Sequence, residues 1–371
     1  MLRGRGRRYR LLNHVHGLPY DPPRWGEEPR LRMQKSSFRQ GAGTTVAVLD
    51  SGASEHEWLL DSFAEDPLPD SARELWDLSV EALPRQVGHG TFVCGVVLQY
   101  APAATLLPRR VIDMHGDAHD DQLAEVVRSL IPHDPDVVNL SLGPTPADQR
   151  GETDEGVAET MKALGELQER CGTVVVAAAG DKNEELPGER LAPVGELSLI
   201  VGALDLSGQP AWFSGVQPVN IWAPGVDVLS SFVHYDGPLS LAHPDDHEHS
   251  DDAHPDEHTQ PDDQAHAGEG HAGDEQPAAE PTMQPVAPFV GWARWNGTSF
   301  ATSAVSGAIA AEISLLAEKG GARRELRRRA VERVLERARP LPEGLPGAIE
   351  GAKGGIALTA APIALVGPPK S

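Results

Sequence analysis

The chain alternates short apolar runs with segments of helical spacing over most of its length. Strands are predicted over residues 44–49, 106–112, 137–143, 173–179, 197–203 and 219–223, which are apolar and rich in β-branched residues and alanine. Helices are predicted after His89 and over residues 122–131, 153–171, 304–316 and 323–338. Because continuous apolar strands are typical of sheets covered on both faces, this alternation indicates an α/β fold with a mainly parallel central sheet flanked by helices.

Residues 234–293 interrupt this pattern. They contain fourteen Asp and Glu residues and no Lys or Arg, and seven His lie between His243 and His271. Such a segment cannot bury enough apolar surface to fold alone, so we interpret it as an acidic, His-rich, disordered insertion. It accounts for most of the net charge of -23, which leaves the remainder of the chain only mildly acidic. Its histidines could bind Zn²⁺, Ni²⁺ or Cu²⁺ weakly, but their irregular spacing predicts no specific metal site.

The two ends of the chain lack periodicity. Residues 1–43 form a basic N-terminal arm with five Arg among the first ten residues, and residues 341–371 form a C-terminal tail rich in Pro, Gly and Ala. The Arg cluster could contact nucleic acid or an acidic partner, but a solvated tail is the simpler interpretation, so we expect no nucleic-acid partner. We expect no membrane contact, since there is no run of about 18 apolar residues. We expect a cytoplasmic location, since no secretory signal is recognisable. The two cysteines, Cys94 and Cys171, give neither a disulfide framework nor a metal signature.

Three polar residues stand beside glycines at the predicted ends of elements. Asp50 follows the first apolar strand, His89 lies between Gly88 and Gly90, and Ser299 precedes a long apolar helix. In open α/β sheets, the carboxyl ends of the strands are where sites are usually built. These positions therefore make the three side chains candidates for one site.

Each of the three also has a purely structural explanation. Ser299 or its neighbour Thr298 could cap the helix, and His89 could be held by packing at a helix start. Together, however, they supply what acyl transfer requires: a Ser nucleophile, a His base that removes its proton, and an Asp that orients the imidazole. The chain order Asp, His, Ser is one of those that build such a triad, whereas an α/β-hydrolase would have the order Ser, Asp, His.

The sequence around these residues resembles that of the subtilisin-like serine peptidases, the subtilases of family S8. The matching stretches are Val46-Ala47-Val48-Leu49-Asp50-Ser51-Gly52, then His89-Gly90-Thr91 with Val93 and Gly95, and Asn296-Gly297-Thr298-Ser299 with Ala301, Val305 and Gly307. Supporting stretches are residues 136–143, residues 174–180 and Ala223-Pro224-Gly225-Val226. The resemblance implies a three-layer subtilisin-like fold, with a peptidase domain formed by residues 44–233 and 294–340.

The resemblance also implies a function and a set of roles. The chain would be a serine endopeptidase that hydrolyses protein or peptide substrates through an acyl-enzyme, without a cofactor or a bound metal. Ser299 would be the nucleophile, His89 the general base and then acid, and Asp50 its orienting partner. An extended substrate would pair as an added strand. The residues implied to contact substrate are Ser141, Leu142 and Gly143 in the pairing strand, and Ala178, Ala179 and Gly180 in a wall of the main specificity pocket.

Several positions depart from the family pattern. Asp181 stands where the family usually has an Asn that donates to the oxyanion, and an ionised Asp181 would repel the developing charge, whereas a protonated one could donate. We therefore expect a slow or acid-favoured peptidase. The alternative is a catalytically weakened subtilase fold that acts as a binding or regulatory module. Phe92 replaces the second His usual in the His motif, and there is no room after Val97 for the calcium loop of many secreted members, so we predict no structural Ca²⁺.

Overall fold

The computed structural model describes residues 8–11, 24–25, 30–32, 39–74, 83–84, 86–112, 117–144, 155–180, 195–214, 219–235, 289–340, 356–357 and 364–366. The strands are β1 (Arg8–Leu11), β2 (Arg24–Trp25), β3 (Arg30–Arg32), β4 (Thr45–Asp50), β5 (Thr105–Arg110), β6 (Asp117–His119), β7 (Val137–Leu140), β8 (Leu142–Pro144), β9 (Val174–Ala178), β10 (Ser198–Leu204), β11 (Ile221–Pro224), β12 (Val228–Tyr235), β13 (Phe289–Trp295), β14 (Arg339–Pro340), β15 (Ile356–Ala357) and β16 (Ala364–Val366). The helices are α1 (His89–Tyr100), α2 (Asp120–Ser129), α3 (Glu155–Cys171), α4 (Thr298–Ala317) and α5 (Arg323–Arg337), with a short 3-10 helix at Ile131–His133.

An eight-stranded sheet forms the centre of the fold, in the order β14-β15-β11-β10-β9-β7-β4-β5. All neighbouring strands are parallel except β14, which runs antiparallel to β15 at the edge. The central strands are buried on both faces, as their continuous apolar composition requires. The predicted mainly parallel sheet is therefore confirmed.

Helices cover the two faces of this sheet. Side chains of α1, α4 and α5 share one apolar core with residues such as Val46 and Val48 of β4. Side chains of α2 and α3 share a second core with Ala47 and Leu49, which alternate with them along the same strand. The result is the predicted α/β arrangement of three layers.

The predicted strands and helices of this region are present, with differences at their ends. The strand predicted over residues 137–143 is interrupted at Ser141, which separates β7 from β8. Helix α4 begins at Thr298, earlier than the predicted start at residue 304, because the Thr-Ser-Phe-Ala-Thr stretch continues the buried apolar helix. The predicted helix over residues 323–338 is α5.

The predicted boundaries of the arm and of the insertion need correction. The arm contains short strands: β2 pairs with β13, and β3 pairs with β16. Strands β12 and β13 form an antiparallel pair that extends to Tyr235 and begins again at Phe289, so the ends of the range 234–293 belong to the folded protein. The apolar residues of this hairpin pack on the core, which an assignment by composition overlooked. Residues 236–288, with the seven histidines that could bind divalent metals weakly, lie outside the described residues.

Helix α4 is long and apolar enough to cross a membrane by length and composition. The sequence analysis, which found no run of about 18 apolar residues, therefore overlooked this helix. Most of the helix is nevertheless buried inside the protein, between α1, α5 and the central sheet. Its composition is that of a core helix.

Candidate active site

Asp50 and His89 meet at the carboxyl end of the central sheet. Asp50 is the last residue of β4 and His89 the first of α1, and both side chains are fully buried. The Nδ1 atom of His89 lies 2.7 Å from Oδ1 of Asp50. The same carboxylate oxygen accepts a hydrogen bond of 2.8 Å from the backbone N–H of Ser51. This arrangement fixes the ring orientation and leaves Nε2 as the free nitrogen of the imidazole.

The glycines beside His89 allow this close approach. A Cβ atom on Gly90 would lie 1.9 Å from the carbonyl oxygen of Gly52, so no other residue fits between the two segments. Gly88 precedes α1 with a left-handed φ of 85°, a conformation that glycine adopts without strain. The local sequence therefore explains how the His segment reaches the Asp segment.

Ser299 lies in the first turn of α4, which packs against α1. The helix cap is Gly297 and no side chain caps the helix, so the alternative that Ser299 or Thr298 is the cap was wrong. The Oγ atom of Ser299 and the Nε2 atom of His89 are both buried, and neither has a hydrogen-bond partner among the described residues. The two groups thus keep their hydrogen-bonding capacity for each other or for a substrate, since such bonds often tighten only in the complex.

Two aromatic rings contact the imidazole of His89, and a third ring packs against these two. The ring centroids of Trp295 and Phe300 lie 5.6 and 5.5 Å from that of His89. Phe92, one turn after His89, packs against Phe300 at 4.4 Å and against Trp295 at 5.9 Å. Phe92, which replaces the second His of the motif, is therefore part of an aromatic cluster that packs against the ring of His89.

The strand implied to bind substrate has a partner in this structure. Leu142 and Gly143 lie in β8, and β1 pairs with them antiparallel, with Leu11 opposite Leu142 and Arg10 opposite Gly143. On its other side β1 pairs antiparallel with β6. The N-terminal segment is thus the central strand of a three-stranded sheet, a placement that sequence reasoning did not assign to it.

The remaining predicted site residues are placed as follows. Ser141 is buried between β7 and β8, and its Oγ accepts a hydrogen bond of 3.1 Å from Asn139. Ala178 and Ala179 are largely buried at the end of β9, and Gly180 has a left-handed φ of 79°. Asp181 lies outside the described residues.

Glu74 was not singled out from the sequence, yet its carboxyl group lies in this site. It is buried and accepts hydrogen bonds from Ser51 and Thr91, which are neighbours of Asp50 and His89 in the chain. No motif marks it, because its position depends on contacts between distant segments. Among the described residues there is no group of three or more His, Cys, Asp or Glu side chains that could hold a metal ion.

The parallel central sheet lies between two layers of helices, with an Asp and a His joined at its carboxyl edge and a Ser at the start of a buried helix, and this is a subtilisin-like α/β arrangement. Residues 41–343 match the model of the subtilase family, peptidase family S8, so the chain belongs to that family.

The curated relatives are similar over part of their length. The chain is 28% identical over 202 residues to the thermostable alkaline protease of Halalkalibacterium halodurans, a match that covers 52% of this chain and 50% of that protein. It is 29% identical over 205 residues to subtilisin NAT of Bacillus subtilis subsp. natto, covering 52% of this chain and 49% of the relative. It is 28% identical over 234 residues to subtilisin-like protease 3 of Pseudogymnoascus destructans, covering 58% and 52%. The chain thus spans about half the length of these relatives.

Proposed function

We propose that this chain is a serine endopeptidase that hydrolyses peptide bonds through Asp50, His89 and Ser299. The observation that carries the proposal is the buried hydrogen bond of 2.7 Å between Asp50 and His89, made by a histidine whose second nitrogen is free. Membership of the subtilase family and the similarity to relatives named as proteases support it.

The proposed reaction begins at Ser299. Its Oγ attacks the carbonyl carbon of the peptide bond while its proton moves to Nε2 of His89. Asp50 accepts a hydrogen bond from the Nδ1–H of the resulting imidazolium and stabilises its charge. The proton taken from Ser299 then passes from Nε2 to the leaving amine as the C–N bond breaks and an acyl-enzyme forms. In the second half of the cycle, water gives a proton to Nε2 and attacks the ester, and the proton returns to Ser299 as the acid is released. A buried pair is suited to this role because the site needs no solvent reorganisation when charge develops.

The oxyanion would form beside the N-terminus of α4. As the second residue of that helix, Ser299 carries one of the first-turn N–H groups that have no acceptor within the helix. A second donor would come from Asp181 only in its protonated form. In a subtilisin, removal of one such donor costs about 10²–10³ in kcat. We therefore propose a slow or acid-favoured enzyme.

The substrate would enter as an extended strand between β6 and β8. Backbone pairing on both sides is a recognised mode of peptide binding. β1 takes this place in the structure, and the side chains of Ser299 and His89 are fully buried. We infer that the structure represents a self-inhibited form, in which the N-terminal segment must leave before a substrate strand can pair. Ala178, Ala179 and Gly180 remain our proposal for a wall of the specificity pocket.

A fluorophosphonate probe tests the nucleophile directly. We expect labelling of the chain and no labelling of Ser299→Ala. Absence of labelling over a broad pH range, including a form that lacks residues 1–11, would instead favour a binding or regulatory module.

The role of Asp181 is tested by the pH profile of peptide hydrolysis for the chain and for Asp181→Asn. The substitution should raise the rate at neutral pH and remove the preference for acid. An unchanged rate and profile would contradict the proposed role.

A cytoplasmic location and weak divalent metal binding by the His-rich segment also remain proposals. Deletion of residues 243–280 should abolish metal uptake and leave peptidase activity intact.

A further inference from the structure

Glu74 lies at the centre of a buried hydrogen-bond network outside the triad. Its Oε1 accepts bonds of 2.7 Å from the hydroxyl of Ser51 and 2.6 Å from the backbone N–H of Gly88. Its Oε2 accepts bonds of 2.7 Å from the hydroxyl of Thr91 and 3.2 Å from that of Ser54. One carboxyl group therefore receives four donors from two segments that are far apart in the sequence.

These donors flank the two residues that the triad must hold together. Ser51 directly follows Asp50, and Gly88 directly precedes His89. The hydroxyl of Ser51 also accepts a bond of 2.9 Å from the backbone N–H of Gly90. Glu74 thus joins the Asp segment to both sides of the His segment, and the bond between Asp50 and His89 lies between these contacts.

The four donors favour the ionised form of the Glu74 carboxyl group. The hydroxyls of Ser51 and Thr91 each accept one backbone N–H group, from Gly90 and Ser54, and each donates its own proton to Glu74. A carboxylate accepts all four donors, whereas a protonated carboxyl group would need an acceptor and would leave one donor without a partner. A buried polar group left in that condition is costly, so the protonated form would loosen the network.

The surroundings of Glu74 oppose this ionised state. Burial raises its pKa to about 7, and the bonds from Ser51, Thr91 and Gly88 offset only part of that rise. The titratable groups that face it are Asp50 from the end of β4 and Cys94 from α1. No ion pair among the described residues includes Glu74. Its charge is therefore sustained by hydrogen bonds alone.

We propose that Glu74 is a positioning residue of the triad, whose carboxylate joins the segment of Asp50 to the segment of His89 and thereby sets the hydrogen bond between them. The inference rests on the proposed peptidase function. It also predicts that the acid limb of the pH profile reports two groups, because both the base and Glu74 must be unprotonated.

Glu74→Gln tests the role, because the Gln side chain has the shape of Glu but places an amide N–H₂ donor among the four groups that donate to Glu74. We expect kcat to fall by about 10- to 100-fold, as displacement of a catalytic group produces, while KM for a short peptide changes little. The acid limb of the pH profile of activity should become less steep, with a slope that corresponds to one proton instead of two. The low-field ¹H NMR resonance of the proton between His89 and Asp50 should shift or broaden.

Glu312→Gln is the matched control. Glu312 is also a buried carboxylate, but it lies further along α4 and pairs with Arg333 at 2.9 Å. This variant should leave kcat, the slope and the resonance unchanged. If Glu74→Gln does not fold, Thr91→Val removes one of the four bonds and should give a several-fold loss in kcat with the same shift in the resonance.

The proposal is overturned if folded Glu74→Gln retains the kcat and resonance of the parent, or if Glu312→Gln loses as much activity. The resonance does not depend on turnover. If the parent shows no peptidase activity, the proposed function fails, and the role of Glu74 is then decided by the resonance alone.

Discussion

Removal of residues 1–11 should raise the activity of the chain on peptide substrates. β1 pairs through three residues with β6 and through three with β8, in the place proposed for substrate. Only residues 12–23 connect it to β2, which is paired with β13. A segment held by so short a connection has an effective concentration of the order of mM.

The magnitude follows from that tether. If the detached segment inhibits the truncated enzyme with a dissociation constant of about 0.1 mM, an effective concentration of about 1 mM gives about tenfold self-inhibition. The truncated chain should therefore show a kcat/KM about tenfold higher. A synthetic peptide of residues 6–13, added to the truncated chain, gives the inhibition constant. The effective concentration divided by this constant must equal the observed ratio of the two kcat/KM values.

The assay compares kcat/KM of the full and truncated chains on a short chromogenic peptide. Arg10→Pro in the full chain should activate similarly, since proline removes an N–H from a strand that is paired on both sides. Arg5→Pro, upstream of β1, is the control and should have no effect. Equal activities of the full and truncated chains, with no inhibition by the peptide at mM concentration, would refute the reasoning.

Three further predictions concern stability and reactivity. The pKa of Glu74 is raised from an ordinary 4.5 to about 7, so its contribution to stability is complete below pH 4.5 and is lost as the pH rises to about 7. In urea unfolding, the free energy of unfolding of Glu74→Gln should therefore rise by about 3 kcal/mol relative to that of the parent between pH 4.5 and 7. A difference between the two free energies that does not change with pH would contradict the shift. Arg327→Met should lower the free energy of unfolding by about 2–3 kcal/mol, because Asp136 loses its buried partner at 2.8 Å while it keeps the ion pair with partly exposed Arg323, and Asp136→Asn added to it should recover part of the loss. Cys94 should resist alkylation in the native state, since burial raises its thiol pKa; modification before unfolding would argue against the buried position.

The elements that could be predicted from the sequence are those whose structure is determined by residues close together in the chain. The apolar runs of β4, β7 and β9 are buried on both faces, and their periodicity is visible in the chain. The candidate triad was also visible, because Asp50, His89 and Ser299 each lie beside glycines that permit close approach.

The features that escaped prediction depend on distant contacts. Glu74 looks like any exposed acidic residue in sequence, and only the fold brings Ser51 and Gly88 to it. β1 has no strand-like pattern, since its pairing uses backbone groups that every residue carries. The ends of the β12–β13 pair were assigned to the insertion because the acidic composition of the segment between them was extended to residues 234 and 293.

The aromatic cluster around His89 gives the site an optical property. Trp295 is buried and its ring stands edge-on to the imidazole, with an interplanar angle of 79°. A protonated imidazole quenches the emission of an indole in contact with it, so the fluorescence of Trp295 should report the charge of His89. Since the other tryptophans remain in Trp295→Phe, the difference between the two emission spectra isolates this signal. The protein thus carries an intrinsic fluorophore beside its proposed general base, and the protonation of that base can be followed without substrate, inhibitor or added dye.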